Sequence, residues 1–445
     1  MKRMKGLVVV CSLMVIFPTI IQAETGEFLS FFKPYITFQE VYDTNIDLAP
    51  NPLKRGDFIT TITPGIKFST QPKSPVTGEF LQAPTAERRY GIDLDFNAGF
   101  NFYAKYHEDN YISLNGSLNA WYALTQNLNF RVRDYLIRSD DIREQDYSST
   151  AIPGQYLPSR TLGRDPWIRN VFEPSLEYKF GRENTISLGY QNNVYNSQSN
   201  LSDDSVENTV YSKINYWFDI RNGMSFEYVL NLGNFQQSPD LVNNNATGRY
   251  IYRFNPRTSV FVNYIQSWFN YQRPGIDFIV YNPSLGIDHA FSSTLRGSLQ
   301  LGYYWADPKR GSTVDGPSYN FLLTQTGHKT TYTVSADGGY TVDLFTAENR
   351  GFTQYHRVMG RINYQLLRRM NVGLFSSYEW DKFVQSAILR EKQIDQIWTI
   401  GANASYQLFK WLNLSLEFNH SENHSNIDSA DYSDYRGIFR VTATY

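Results

Sequence analysis

Two histidines and a short acidic segment are the residues whose spacing comes nearest to metal chemistry. His420 and His424 are four residues apart, and the segment 43–47 begins like a calcium-binding loop, with acid or amide at alternate positions. No acids complete a ligand pattern beside the histidines, and Leu48 stands where a calcium loop needs glycine. We therefore expect no metal, no cofactor and no catalytic site, and we interpret residues 43–47 as a turn.

A larger set of charged residues occupies alternate positions of long extended segments. Charged side chains are costly where they face lipid and are tolerated where they face water, so we predict that these residues line a water-filled lumen. Ion pairs that tie the wall together are the alternative role for each of them. Because acids and bases are nearly balanced, we expect weak ion selectivity. The candidates are Asp93, Asp95, Arg131, Arg133, Glu173, Glu177, Lys213, Arg296, Asp337, Glu379, Arg436 and Arg440.

Four aromatic residues share this inward series: Tyr103, Trp121, Trp217 and Phe375. Flat apolar rings of this kind could offer a stacking surface to sugar rings. The alternative is that they only fill space and narrow the lumen.

The elements that must carry these residues are long strands. Residues 90–103 alternate without a break between apolar or aromatic and small or polar residues, and several other segments do the same over about 10 to 15 residues. A tilted membrane-spanning strand needs about 9–11 residues, whereas strands of soluble proteins typically have about 5–6. Because only a closed barrel leaves no unpaired strand edge in lipid, the pattern predicts an all-β transmembrane barrel.

Composition excludes the competing classes. Aromatic residues make up 16% of the 445 residues and charged residues 19%, which does not fit a disordered or coiled-coil chain. No apolar run of 20 residues follows residue 23, so a helical membrane protein is excluded. The formal charge of −2 gives no sign of nucleic-acid binding.

Short turns alternate with longer polar connections along the chain, as in outer-membrane barrels. The alternation predicts an antiparallel, up-and-down barrel of about twenty strands, with 18 or 16 as the alternatives and both termini in the periplasm. The longest external loop, 139–166, and the periplasmic connection 70–88 could each fold into the lumen or remain solvated flaps. The connection 70–88 could instead dock a periplasmic partner.

The two chain ends carry targeting signals. Residues 1–23 read as a signal peptide, with a basic start, an apolar stretch and a cleavage site after Ala23. We expect a short periplasmic segment at 24–32 and the barrel at 33–445. Phe439, Val441, Ala443 and Tyr445 alternate to a terminal aromatic, which resembles the signal read by the barrel assembly machinery. These features predict a multi-pass barrel in the outer membrane of a Gram-negative envelope, with membrane lipid and that machinery as partners.

The opening of the predicted barrel resembles the putative β-barrel porin type 2 family. The resemblance rests on Tyr42-Asp43-Thr44-Asn45 and on the aspartate-led strand 57–65, which ends in Pro-Gly. Thr44 is an insertion relative to the family pattern. The resemblance implies a channel and, because some relatives are encoded with exopolysaccharide machinery, a role in exporting or assembling a surface polymer, with polysaccharide and periplasmic export proteins as partners. A general small-solute porin and a non-conducting scaffold that binds envelope partners are the alternatives.

Overall fold

The computed structural model describes residues 31–70, 89–141, 165–198, 204–272, 275–343, 351–385 and 392–445. These residues form twenty strands and two short 3-10 helices, His107–Asp109 and Asp428–Ala430. Among them, no helix is long and apolar enough to cross a membrane. The strands are β1 Phe32–Asp43, β2 Asp57–Ser69, β3 Tyr90–Tyr103, β4 Tyr111–Ala123, β5 Leu128–Ser139, β6 Trp167–Phe180, β7 Asn184–Ser197, β8 Ser205–Trp217, β9 Asn222–Phe235, β10 Leu241–Asn255, β11 Thr258–Tyr271, β12 Phe278–Ala290, β13 Leu295–Pro308, β14 Val314–Thr326, β15 Thr330–Asp343, β16 Gly351–Leu367, β17 Met370–Gln385, β18 Ile394–Phe409, β19 Leu412–Ser425 and β20 Tyr432–Thr444.

The sheet closes on itself. Each strand pairs antiparallel with the next one along the chain, and β1 pairs with β20 from Tyr35 opposite Thr444 to Asp43 opposite Arg436. The predicted up-and-down barrel is confirmed with twenty strands, and the counts of 18 and 16 are wrong. Because closure leaves no free edge, every strand can satisfy its backbone hydrogen bonds inside the sheet.

Alternation along each strand separates an outer face from an inner face. On β3, Phe96 and Phe100 are 43% and 38% exposed on the outside, whereas Asn101 and Tyr103 are 6% and 2% exposed on the inside. Successive side chains of a strand point to opposite faces, so the side that one residue faces indicates the side that its neighbours along the regular strand face. The outer face carries the large apolar side chains along most strands, as a lipid-facing surface requires.

The two ends of the barrel differ in how their strands are joined. Tight turns connect neighbouring strands at the end where β1 begins and β20 ends, for example at Gly181, whose φ of +68° is readily adopted by glycine. We call this the short-turn end and the opposite one the long-loop end. Residues 71–88, at the short-turn end, and 142–164, at the long-loop end, lie outside the described residues. The predicted inward folding of either connection therefore stays a prediction.

Buried apolar side chains concentrate on the inner face near the long-loop end. One cluster joins Leu241, Phe269, Phe278, Val280, Tyr304, Ala306 and Phe352; a second joins Val41, Ile46, Ile59, Tyr103, Tyr111 and Ile438; a third joins Ile137, Trp167 and Tyr195. We call these three clusters together the apolar collar. The collar covers the inner face at that end with apolar side chains, whereas polar side chains cover most of the wall below it.

Candidate functional site

Acidic and basic side chains of the inner wall are distributed unequally along the barrel axis. In the strand halves nearer the short-turn end, cations outnumber acids; in the halves nearer the long-loop end, acids outnumber cations. The lower cations are Lys33, Lys67, Arg131, Arg133, Lys179, Lys213, Arg249, Arg253, Arg296, Arg361 and Arg440, and the lower acids are Asp93, Asp95, Glu177, Glu227, Asp288 and Glu417. The upper acids are Asp43, Asp57, Glu173, Glu207, Asp337, Glu379, Asp381, Asp395 and Asp434, and the upper cations are Arg169, Arg357 and Arg436.

Neighbouring strands join several of the predicted lumen residues into ion pairs. Arg133 on β5 binds the carboxylate of Glu173 on β6, which also accepts a 2.8 Å hydrogen bond from the Tyr211 hydroxyl on β8. Lys213 lies 3.0 Å from Glu227 on the next strand. These pairs cross from strand to strand, so they tie the wall together as well as lining it.

Asp337 and Glu379 both lie beside Arg357, a residue that was not predicted from the sequence. Arg357 on β16 donates hydrogen bonds of 2.9 and 2.8 Å to Glu379 and lies 4.0 Å from Asp337. The alternation of β16 signals that Arg357 faces inward, but its two partners become evident only once the registers of three strands are known.

The remaining predicted charges are spread around the wall. Asp93 accepts a 2.5 Å hydrogen bond from Ser69, and Asp95 accepts one of 2.8 Å from Tyr35. Glu177 lies 3.5 Å from Lys179, and Arg440 donates a hydrogen bond of 2.8 Å to Gln39. Arg131 is two positions from Arg133 on β5. Arg296 lines a cavity at the short-turn end. Arg436 lies 3.4 Å from Asp43.

The predicted lumen aromatics occupy different settings. Tyr103 is 2% exposed inside the apolar collar, and Trp121 is 7% exposed near the short-turn end. Trp217 has the guanidinium of Arg253 lying 3.4 Å above its ring, and Phe375 lies under Arg361 at 6.0 Å. Trp217 and Phe375 lie in the basic half of the wall, where their rings pack against Gly223 and Gly401 and are partly exposed.

Arg253 is a further residue that the sequence reasoning missed. Besides stacking on Trp217, its guanidinium donates hydrogen bonds of 2.7 and 3.3 Å to Glu183 in the β6–β7 turn. This hydrogen bond holds the pKa of Glu183 below its ordinary value. The three residues come from three separate strand ends, so no spacing in the sequence would have indicated them.

The segment 43–47 serves as a structural turn. The Asn45 side chain donates to the Ala49 carbonyl at 2.7 Å and accepts from the Ala49 N–H at 2.9 Å, while Asp47 pairs with Arg55 at 2.6 Å. Thr44, the inserted residue, accepts a 2.8 Å hydrogen bond from the N–H of Tyr435 at the start of β20. The turn thus connects the first hairpin to the last strand.

The last strand presents its predicted assembly residues on the outer face. Phe439, Val441 and Ala443 alternate outward, between β19 on one side and β1 on the other, and Tyr445 follows the end of β20 with 98% exposure. His420 also faces outward and stacks on Tyr435 with a centroid distance of 4.0 Å. In the part of the chain that the structure describes, no three His, Cys, Asp or Glu residues come together as a metal site.

Comparison with known proteins agrees with this architecture. Residues 236–445 match the family model of putative beta-barrel porin 2. The match spans β10 to β20, downstream of the opening motif that suggested the same family, and it confirms that resemblance. No curated protein matches the chain.

Several solved outer-membrane barrels are similar over most of the chain. The outer membrane protein opdK of Pseudomonas aeruginosa is 10% identical with a TM-score of 0.42, covering 94% of this chain and 100% of its own. OprD of the same organism is 9% identical with a TM-score of 0.43, covering 94% and 96%. The siderophore receptor PirA of Acinetobacter baumannii is 7% identical with a TM-score of 0.49, covering 93% and 80%.

The porin 2 match and the closed barrel with an apolar outer face make this an outer-membrane, porin-like channel protein with a multi-pass β-barrel. Family and fold both point to a channel rather than to an enzyme. Outer-membrane barrels carry their short turns in the periplasm, so we assign the short-turn end to the periplasm and the long-loop end to the cell exterior.

Proposed function

We propose that the barrel is a conduit through which a surface polysaccharide crosses the outer membrane. The observation that carries the proposal is the polar inner wall between the periplasmic end and the apolar collar. Its strands present amides, hydroxyls and charges, for example Asn97, Asn119 and Ser298, in a barrel of twenty strands. A barrel of this size leaves an aqueous lumen unless something fills it.

A polysaccharide suits this wall better than an apolar solute does. Its hydroxyls can exchange water for the amide and carboxylate groups of the wall, and sugar rings have apolar faces that stack on aromatic rings. The Trp217 and Phe375 rings lie on the inner face at the periplasmic half, where such a polymer would enter. The family resemblance, which implies a link to exopolysaccharide machinery, points the same way.

A small-solute porin is the second candidate, because a polar wall would also pass small molecules. A scaffold that does not conduct is the third candidate. A collar that closed the lumen would favour this scaffold. Planar-bilayer recording of the purified protein separates the three. We expect steady conductance that slows when a linear polysaccharide is added. Open current that no polymer affects would leave the small-solute porin, and silent membranes with verified insertion would leave the scaffold.

A further inference from the structure

The periplasmic end holds a cavity with an arginine-rich lining. Its volume is about 1110 Å³, and Arg221, Arg253, Arg257 and Arg296 line it together with the two acids Glu183 and Asp288 and with His289. Arg253 and Arg296 belong to the inner face of β10 and β13. The cavity therefore opens to the lumen at the periplasmic rim.

A second cavity at the same end has cations and no acid in its lining. Its volume is 360 Å³, and Arg368, Arg369 and Lys410 line it together with Asn371, Ser405, Gln407 and Asn413. The asparagines and the serine belong to the inner series of β17, β18 and β19. Two basic cavities thus lie at the periplasmic mouth, on different parts of the wall.

Most of these cations have no anion of their own. Within the described ranges, Arg253 is paired with Glu183, whereas Arg257, Arg296, Arg368, Arg369 and Lys410 make no ion pair within 4 Å. Two acids at the extracellular end, by contrast, have partners within the protein. Asp57 accepts the backbone N–H groups of Lys105 and Tyr106 at 3.0 and 3.1 Å, and Asp43 lies beside Arg436. Several cations at the periplasmic mouth are therefore left without an internal counter-ion.

We infer that the periplasmic mouth is a binding site for an acidic polysaccharide, which rests on the proposed conduit function. Guanidinium groups bind carboxylates and sulfates, and the serine, threonine and asparagine side chains beside them suit sugar hydroxyls. Two separated basic cavities favour a polymer over a single small anion, because a chain can contact both. Electrostatic attraction of this kind raises the local concentration of polymer at the mouth where it enters.

Isothermal titration calorimetry of the detergent-purified barrel tests the inference without requiring conductance. The probes are a galacturonate hexamer, galacturonate monomer and the neutral maltohexaose. We expect the acidic hexamer to bind more tightly than either of the others, with an affinity that falls as salt is raised because exposed charges are screened. In planar bilayers the acidic hexamer should interrupt the current more effectively from the periplasmic side.

Matched variants locate the site. Replacing Arg257 and Arg296 by glutamine removes two cations from the larger cavity, and replacing Lys309 and Arg310 by glutamine removes two from the extracellular end. The first pair should weaken hexamer binding by roughly fivefold or more, since each solvent-exposed ion pair typically accounts for up to about fivefold. The second pair should leave it unchanged. Glu183→Gln should strengthen binding, because it releases Arg253 from its internal partner.

Several results would overturn the inference. Equal binding of maltohexaose would remove the role of charge, and monomer binding as tight as that of the hexamer would make this a small-anion site. An equal loss in the Lys309 and Arg310 variant would show a general charge effect instead of a site. Heat-modifiable migration in detergent gels confirms that each variant is folded. Acidic-hexamer binding in a protein that never conducts would count against the conduit and not against this binding site.

Discussion

The carboxylate of Asp43 on β1 lies 3.4 Å from the guanidinium of Arg436 on β20, across the seam where the barrel closes. Asp43 is fully buried, and its other oxygen accepts the N–H of Asn45 at 2.8 Å. The first and last strands are thus joined by a charge pair as well as by backbone hydrogen bonds.

Arg436→Gln should weaken the closed barrel. The change leaves the buried Asp43 carboxylate without its cation, which typically costs about 3 kcal/mol or more. The measurement is urea unfolding in detergent micelles, followed by the shift in gel mobility. Arg440→Gln is the control, because Arg440 bonds the neutral Gln39 on the same pair of strands and its loss should cost about 1 kcal/mol. Equal costs would show that the charge pair adds nothing at the seam.

Arginine substitutions on β3 should separate the two faces of the wall. Phe96 is exposed on the outer face, so Phe96→Arg near the bilayer midplane should cost roughly 2–4 kcal/mol. Asn97→Arg faces the lumen and should cost far less. Unfolding of the two variants in lipid vesicles gives the comparison, and a reversed order would contradict the register of β3 with its neighbours.

Sequence reasoning reached the barrel because alternation is local, whereas the arrangement of charges is not. The faces of β3 and β20 could be predicted from single strands. Tyr340 on β15 could not, because it follows the outward series 332–338 in sequence but packs inward on Tyr304 at 5.0 Å and Phe352 at 5.5 Å. The position of each charged residue along the barrel axis depends on strand order and direction. The nearly equal numbers of acids and bases in the sequence therefore did not indicate that the two are separated along this axis.

Opening the apolar collar should raise the conductance. The Phe278 ring stacks on Phe269 at 4.5 Å and is 6% exposed, so Phe278→Ala removes bulk from the inner face at the apolar collar. We expect larger single-channel currents together with a loss of stability of about 3–5 kcal/mol. Phe291→Ala on the outer face is the control and should leave the current as it is. Unchanged current in both variants would place the narrowest part of the lumen elsewhere.

Removing the end of β20 should prevent assembly. Deleting residues 439–445 takes away six of the nine residue pairs that β20 makes with β1 and five of the twelve that it makes with β19, so both neighbouring strands lose partners in lipid. We expect a secreted chain that is degraded in the periplasm. Fractionation and surface labelling of cells provide the measurement, with the single change Tyr445→Phe as a control that keeps the terminal aromatic. Normal surface levels of the truncated chain would contradict this reasoning.

The hydrogen bond between Thr44 and Tyr435 joins residues at nearly opposite ends of the sequence, and this bears on how the barrel is made. Contacts between distant residues form late because ordering the intervening chain costs entropy. Closure at β1 and β20 therefore has to wait until all the other hairpins are in place. Once closed, no strand can leave without opening the ring, so slow unfolding should keep the barrel intact long after its equilibrium stability has become small.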